Sequence, residues 1–387
     1  MDTAAIIEAA AKAVFVFAML LVLVLFTIWA ERKILADMQS RIGPNRAGPF
    51  GLLQTLADGI KLFFKEDIMP TAADKIVYPL APIVSMIPAL VAFSVVPFGD
   101  TITIAGREIT LQLADLNVAV LFFLSMGSVS VYGIALAGWS SGSKYPLLGS
   151  VRATAQLLSY EAAFGLAVLG VLVQSGTLST REIVNSQAWI DWQSFVSEWY
   201  LLPALIPFAI FLIAATAETN HPPFDLVEAE QELVGGFHTE YTGIRFAIFF
   251  LAEFMNVITM SAVAVTLFLG GPSGPNLGFL AVDNVVNVWL MPVVWFVAKV
   301  LVLVFATFWV RASLPRMRYD RLMALGWKYL IEIAILWVLV SVAIVVAREE
   351  GWNVAVTTIV AAVVALLAYG MLWLAMPKAG EQVEEFR

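Results

Sequence analysis

AVFVFAMLLVLVLFTIWA, from Ala13 to Ala30 and followed at once by Glu31-Arg32-Lys33, is the stretch on which the fold turns. It carries no charge, and a helix needs about 20 apolar residues to cross the hydrocarbon core of a bilayer. Lys12 ahead of it gives the outline of a signal peptide, but no small-x-small cleavage site follows. The run therefore reads as an uncleaved first span. Working outward, runs of the same kind lie near 10–30, 76–98, 117–138, 154–174, 200–217, 244–270, 288–310, 328–347 and 353–376. Composition agrees: of 387 residues, 60% are hydrophobic and 13% charged, with a mean hydropathy of +0.87. A soluble domain carries roughly 25% charged residues. The expected fold is all-α, a polytopic integral membrane protein of about nine transmembrane helices with interfacial amphipathic helices beside them. Neither an internal repeat nor a low-complexity linker divides the sequence, so 1–387 reads as a single membrane domain.

The remaining composition narrows the chemistry. A net charge of −8 does not mark a basic surface for nucleic acid. With no Cys, the chain holds neither a disulfide nor a thiolate-ligated iron–sulfur cluster. Its two histidines, His221 and His238, fall in one segment, which argues against haem or multi-His metal ligation. No Gly-rich nucleotide loop, zinc spacing or Ser-His-Asp set is present. The expectation is a chain that binds no cofactor and has no activity alone, so that electrons for any redox step come from another chain.

Lys and Arg set the orientation. With the N-terminus outside, the cytoplasmic loops and tail collect Arg32, Lys33, Arg41, Arg46, Lys61, Lys65, Lys75, Lys144, Arg152, Arg311, Arg316, Arg318, Arg321, Lys328, Lys378 and Arg387. The opposite side has only Lys12, Arg107, Arg181 and Arg348, while Arg245 and Lys299 fall within spans. The positive-inside rule then puts the N-terminus out and the C-terminus in. In the first cytoplasmic loop Leu53, Leu56, Ile60 and Phe63 recur at helical spacing, with Asp58, Lys61 and Lys65 largely opposite. This pattern predicts a helix lying in the interface plane. It is either an anchor or the rim of an opening for a lipid-soluble substrate.

The segment from Ala217 to Gly243 reverses the expected charge bias. It holds Glu218, Asp225, Glu228, Glu230, Glu232 and Glu240 and has no Lys or Arg. Pro222-Pro223 would break the preceding span and start a new helix, on which Asp225, Glu228 and Glu232 share a face. Crowded carboxylates without counter-charges raise one another's pKa values, so the cluster could exchange protons near neutral pH. The plainer reading is a solvated acidic loop that docks a basic partner. Glu161, Glu253 and Lys299 lie inside three spans, where an unpaired charge costs about 3 kcal/mol or more. Together with the acidic segment they outline a polar path; singly, each could be a structural ion pair. Glu332 sits near a helix start, where interfacial placement explains it. Arg41-Ile-Gly-Pro-Asn-Arg46 is a Gly-Pro turn with a cation at each end, and Arg311, Arg316 and Arg318 cluster beside Tyr319. Guanidinium forks suit carboxylates, phosphates or a polar headgroup carbonyl, although orientation and lipid contact explain them as well.

Ala30-Glu-Arg-Lys33, Arg41-Ile-Gly-Pro-Asn-Arg46, Ser159-Tyr-Glu161, Ala217-Glu-Thr-Asn220 with Pro222-Pro-Phe-Asp225, Glu240-Tyr241, Arg311-Ala-Ser-Leu-Pro-Arg316 and Arg318-Tyr-Asp320 occur in order and in register. Each motif is short, but together, over residues 15–347, they resemble the H subunit of proton-translocating NADH:quinone oxidoreductase, respiratory complex I. The resemblance implies a membrane subunit that forms a quinone chamber and couples quinone reduction to proton translocation in a bacterial inner membrane. It implies a chamber lined by Glu31, Arg32, Arg41, Arg46, Lys61, Phe224 and Asp225. Proton coupling would run through Glu161, Glu218, Asp225, Glu228, Glu230, Glu232, Glu240 and Glu253, with Lys299, Arg311, Arg316 and Arg318 in structural or interface roles. Quinone would be the substrate. Flavin and iron–sulfur clusters would sit in partners: hydrophilic-arm subunits carrying the terminal cluster, alongside small adjacent membrane subunits, antiporter-like pump subunits and lipid. There are two departures. Many family members carry Arg where this chain has His221, and the ninth span, 353–376, with the acidic tail 377–387, extends past the shared eight-span core. Three alternatives remain at this point: the anchor subunit of a related energy-converting membrane hydrogenase, an unrelated proton-coupled secondary transporter, and a passive scaffold, against which the in-span acids argue. The second is disfavoured by the lack of internal repeats.

Overall fold

In the computed structural model, residues 3–99, 101–104, 107–187, 199–225, 234–274 and 289–375 are described. The first apolar run becomes α1 (Thr3–Met38), far longer than a bilayer requires, so its C-terminal turns carry Glu31 and Arg32 beyond the apolar stretch. The interfacial helix predicted in the first loop is α2 (Gln54–Phe64). Its Leu56, Ile60 and Phe63 are exposed, as is Leu53 just before it, as expected of a helix that turns an apolar side to lipid or a partner. Next come α3 (Val77–Ala92), the hairpin strands β1 (Thr101–Ile104) and β2 (Arg107–Thr110), α4 (Ala119–Ser140), α5 (Lys144–Ser175) and the short α6 (Thr180–Asn185). The chain continues through α7 (Leu205–Glu218), α8 (Gly243–Phe268), α9 (Met291–Ser313), α10 (Tyr319–Leu325), α11 (Ile331–Glu349) and α12 (Val354–Ala375). A single π-helical turn, Gly326–Leu330, joins α10 to α11 without a break.

Among the described residues, 8 helical stretches are long and apolar enough to cross a membrane. They match eight of the predicted runs. The fifth run, 200–217, is helical only as the 14 residues of α7. At 1.5 Å per residue that is about 21 Å, short of a hydrocarbon core of about 30 Å. Turns over 199–204 complete the segment. The hairpin was not expected from hydropathy, which averages over windows far longer than its four-residue strands. Its strands are antiparallel, with Thr101 opposite Thr110 and Ile104 opposite Arg107. The alternation of Thr and Ile suits a pleated pair.

Helices α3, α4, α5, α7 and α8 form a closed ring, each packed on the next and α8 back on α3. Small residues make the ring tight. A Cβ on Gly133 of α4 would lie 2.0 Å from Ser85 Oγ of α3, and one on Gly138 would lie 2.1 Å from Ser150 Oγ of α5. Close backbone approach of this kind is how membrane helices associate when lipid supplies no hydrophobic drive. Outside the ring, α1 and α9 pack on each other and on α8, while α11 lies against α5. Helix α12 rests chiefly on α11, through Val340, Ile344 and Ala365.

Polar side chains bolt this frame together where the chain leaves regular structure. Gln156, fully buried on α5, donates from Nε2 to Ala217 O at 2.9 Å and Phe224 O at 3.0 Å, which ties the end of α7 to the turn beyond it. Tyr241 stacks on Tyr78 with ring centres 4.1 Å apart. Tyr78 donates to Glu240 O at 2.7 Å and Tyr241 to Tyr78 O at 3.0 Å. The segment after α7 is therefore fastened at both ends.

Candidate functional site

The ring encloses a cavity of ≈ 870 Å³, counted with its open mouth. Its walls carry Phe123, Phe246, Phe249 and Phe250, among which stand the polar groups of Ser85, Ser130, Glu218, Asn220, His238, Glu253 and Asn256. Two carboxylates thus face one space from two elements. Glu218 arrives on the last residue of α7, and its Oε2 is buried without a hydrogen-bond partner. Its Oε1 lies against Gly127 of α4, where an added Cβ would come within 3.1 Å. Glu253 arrives on α8 and lies 3.3 Å from His221 Nδ1.

Glu161 belongs to the Ser159-Tyr160-Glu161 triplet of α5, whose members point to different neighbours. Ser128 of α4 donates a short hydrogen bond to the Glu161 carboxylate. Tyr160 donates to Leu322 O at 3.0 Å, and Ser159 accepts from Trp327 Nε1 at 3.0 Å. One triplet therefore anchors the π-helical junction of α10 and α11 while aiming its acid at α4. Single π turns recur at functional sites.

A second charged group lies at the corner of α1, α2, α8 and α9. Glu31, 4% exposed, is ion-paired with Arg311 of α9. Arg32 binds Asp58 of α2, which also accepts from Gln54 Nε2 at 3.2 Å and lies 3.7 Å from Lys61. Burial pushes the Asp58 carboxyl up, but the hydrogen bond and charge of Arg32, with Gln54 and Lys61, bring it below the usual aspartate value. Trp29 donates to Phe50 O at 3.1 Å. The loop between α1 and α2 closes on itself, with Gly51 at φ 77° so near Pro44 that a Cβ would lie 2.4 Å from its carbonyl. Arg41 and Arg46 of this loop are exposed. Beyond α9, Met317 N donates to Pro223 O at 3.0 Å, which joins the arginine segment to the turn after α7. Arg316 is exposed, and the exposed Arg318 pairs with Asp320 at 3.0 Å.

The other expected site residues are dispersed. Phe224 is buried against Tyr160, with ring centres 5.6 Å apart, and Asp225 follows it, half-buried. Glu240 contributes its backbone carbonyl to the Tyr78 bond. Glu228, Glu230 and Glu232 lie outside the described residues, and with them the helical face that Glu228 and Glu232 were expected to share with Asp225. Lys299 stands apart from the carboxylates. Its Nζ donates to Leu269 O at 2.6 Å, Gly271 O at 3.0 Å and Ser273 O at 2.6 Å, and sits 4.4 Å from the Trp199 ring centre. It closes the turn after α8, at the opposite end of α9 from Arg311. Among the described residues, no three His, Cys, Asp or Glu are grouped to hold a metal ion.

Sequence reasoning missed Ser128, Asn256, His238 and the position of His221. Ser128 and Asn256 interrupt apolar runs, so a search for uncharged as well as ionisable polar residues within spans would have found them.

Comparison with known proteins places the architecture in a family. Residues 11–342 match the family model described as NADH dehydrogenase. The H subunit of NADH-quinone oxidoreductase from Frankia alni is 52% identical over 341 residues, covering 88% of this chain and 73% of the relative. Its namesake from Frankia casuarinae is 54% identical over 329 residues, covering 85% of this chain and 70% of the relative. The matched region holds both groups of carboxylates and leaves out the first turns of α1, the end of α11 and α12, so the chain belongs to the NADH dehydrogenase family.

Proposed function

We propose that this protein is the membrane subunit of a proton-translocating NADH:quinone oxidoreductase that forms the quinone chamber and couples quinone reduction to proton movement. The observation that carries the reading is the ring-enclosed cavity, in which Glu218 presents a buried, unpartnered carboxylate oxygen. An oxygen in that position accepts a proton without breaking an existing bond. Glu161, bonded to Ser128 of α4, does not line the cavity but is near enough to act on Glu218 electrostatically. The names of the relatives support quinone as the substrate, and the corner of α1, α2 and α8 supports its route. Helix α2 lays an exposed apolar side at the interface, while Arg32 and Asp58 hold it to α1. A lipid-soluble substrate would pass that rim with its tail still in the bilayer. The exposed Arg41, Arg46 and Arg316 offer guanidinium groups to hydrophilic-arm subunits that carry the terminal iron–sulfur cluster and, further out, the flavin. The exposed apolar flanks of α1, α9 and α12 suit lipid and neighbouring membrane subunits. The electrons reach quinone from those partners. This chain supplies enclosure and the carboxylates that respond to the change in charge, in a bacterial inner membrane with the N-terminus outside.

Glu218→Gln keeps shape but removes the titrating oxygen. In the assembled complex it should lower quinone-linked turnover by about tenfold or more, the range of a lost acid–base group. NADH oxidation by a water-soluble artificial acceptor should be spared, and proton pumping should fall at least in proportion. Glu161→Gln should behave alike. Wild-type quinone turnover and pumping in both variants, with the complex fully assembled, would refute the coupling role.

A further inference from the structure

His221 lies in the turn that follows α7 and is 1% exposed. Its Nδ1 is 2.8 Å from Thr219 O and 3.3 Å from Glu253 Oε1, whereas Nε2 is buried with no hydrogen-bond partner. The ring edge packs against Phe254 at 5.7 Å. In the neutral ring Nδ1–H donates to Thr219 O, and the Nε2 lone pair has nothing to accept from. The charged groups around it come from three elements. Glu253 on α8 faces it directly, Glu31 on α1 acts on it electrostatically, and Arg311 on α9 is already bound to Glu31. His238, nearby, also feels Glu253, but its burial keeps it below the ordinary histidine range. Burial opposes a charge on His221 too, yet the hydrogen bond and charge of Glu253, the charge of Glu31 and the Thr219 carbonyl outweigh it and raise the pKa above the ordinary histidine value.

We infer that His221 is a charge switch linking the cavity to the α1–α9 corner, closed when Nε2 holds a proton and open when it does not. The inference rests on the reading of the cavity as a proton-coupling site. The chemistry is a single proton transfer. A proton from water reaching the segment forms the Nε2–H bond, the ring becomes an imidazolium, and the reverse step returns the proton to water with no electron exchanged. In the closed state the cation faces Glu253 and is attracted by Glu31 as well, so the cavity carboxylate and the Glu31–Arg311 pair are coupled through one charge. In the open state Glu253 loses its counter-charge, while Glu31 keeps Arg311, with Arg32 beside it. The switch therefore supports turnover at lower pH and releases it as pH rises through the His221 pKa.

The test uses the assembled complex in membranes, with NADH-driven quinone reduction measured from about pH 6 to about pH 9, across the range in which histidine titrates. The water-soluble acceptor rate serves as the measure of assembly. His221→Gln fixes the open state. Its rate relative to wild type should be about threefold or more lower at the acid end and should approach equality at the alkaline end. His221→Arg fixes a cation and should exceed wild type at the alkaline end. A His221→Gln ratio that is the same at every pH would overturn the switch, since a merely structural histidine costs activity without regard to its proton. If His221→Arg fails to assemble, the His221→Gln ratio alone decides. Glu218→Gln, run beside them, separates the two claims. If it lowers turnover while the His221→Gln ratio stays flat, only the switch fails. If Glu218→Gln and Glu161→Gln both leave turnover and pumping intact, the coupling reading beneath it fails.

Discussion

Asp58 illustrates how a residue on a short helix acquires a role from a neighbour far away in sequence. Arg32 reaches it from α1, and its carboxyl consequently titrates below the usual aspartate value despite the opposing effect of burial. A group whose native pKa is depressed contributes stability above its unfolded pKa, about 3.9 for aspartate, and loses it as pH falls through the native value. Asp58→Asn should therefore loosen α2 at neutral pH, read as faster amide exchange over Gln54–Phe64. The difference from wild type should stay constant down to about pH 5 and vanish below the native pKa. A difference that instead disappears toward alkaline pH would assign the effect to another group. In the first loop the sequence pattern made α2 legible through Leu53, Leu56, Ile60 and Phe63. The Arg32 contact was not legible, because nothing in the spacing says which turn of α1 lies beside it.

At the scale of elements, α8 and α9 are held at one end by Lys299 and at the other by a corner in which Arg311 binds Glu31. The lysine satisfies three carbonyls of the turn that follows α8, and a buried carbonyl left without a donor costs about 1–3 kcal/mol. Lys299→Met should accordingly lower stability by about 3 kcal/mol, allowing for partial relaxation of the turn. Amides of 269–273 should exchange faster while quinone turnover per assembled complex is kept. Lost turnover with unchanged exchange would return Lys299 to the proton path. Hydropathy located both helices and marked Lys299 as an unusual in-span charge. Whether such a charge faces acids or carbonyls depends on helix rotation and on which end of the neighbour it meets. Neither property is written into a window of sequence.

For the whole molecule, the distribution of Lys and Arg predicts a single orientation, which requires the segment of α7 to cross as well. The chain has no cysteine, so an introduced one is its only thiol and its labelling is read on this chain after separation from the other subunits. Ile42→Cys, in the exposed loop before α2, should react with an impermeant maleimide only after the membrane is opened. Glu350→Cys, in the exposed turn between α11 and α12, should react from outside in intact cells. The reverse pattern would invert the orientation and place the arginine-bearing surfaces on the wrong side for cytoplasmic partners. The same experiment bears on α11, because a label at Glu350 outside requires that helix to cross.

Reading along the chain was enough for the class of molecule, the number and order of its apolar runs, the interfacial helix and the acids most costly to bury. These follow from local composition and from the free energy of placing single side chains in lipid. Packing chose which acids share a space. Glu218 and Glu253 face one cavity because α3, α4, α5, α7 and α8 close a ring, which rests on contacts such as Gly133 against Ser85. It also shortened α7 and folded a hairpin that hydropathy windows do not resolve. His221 became the junction between two charged groups only because α1, α8 and the turn after α7 meet there. Burial and proximity are sums over the whole packed chain, and no stretch of sequence holds them on its own.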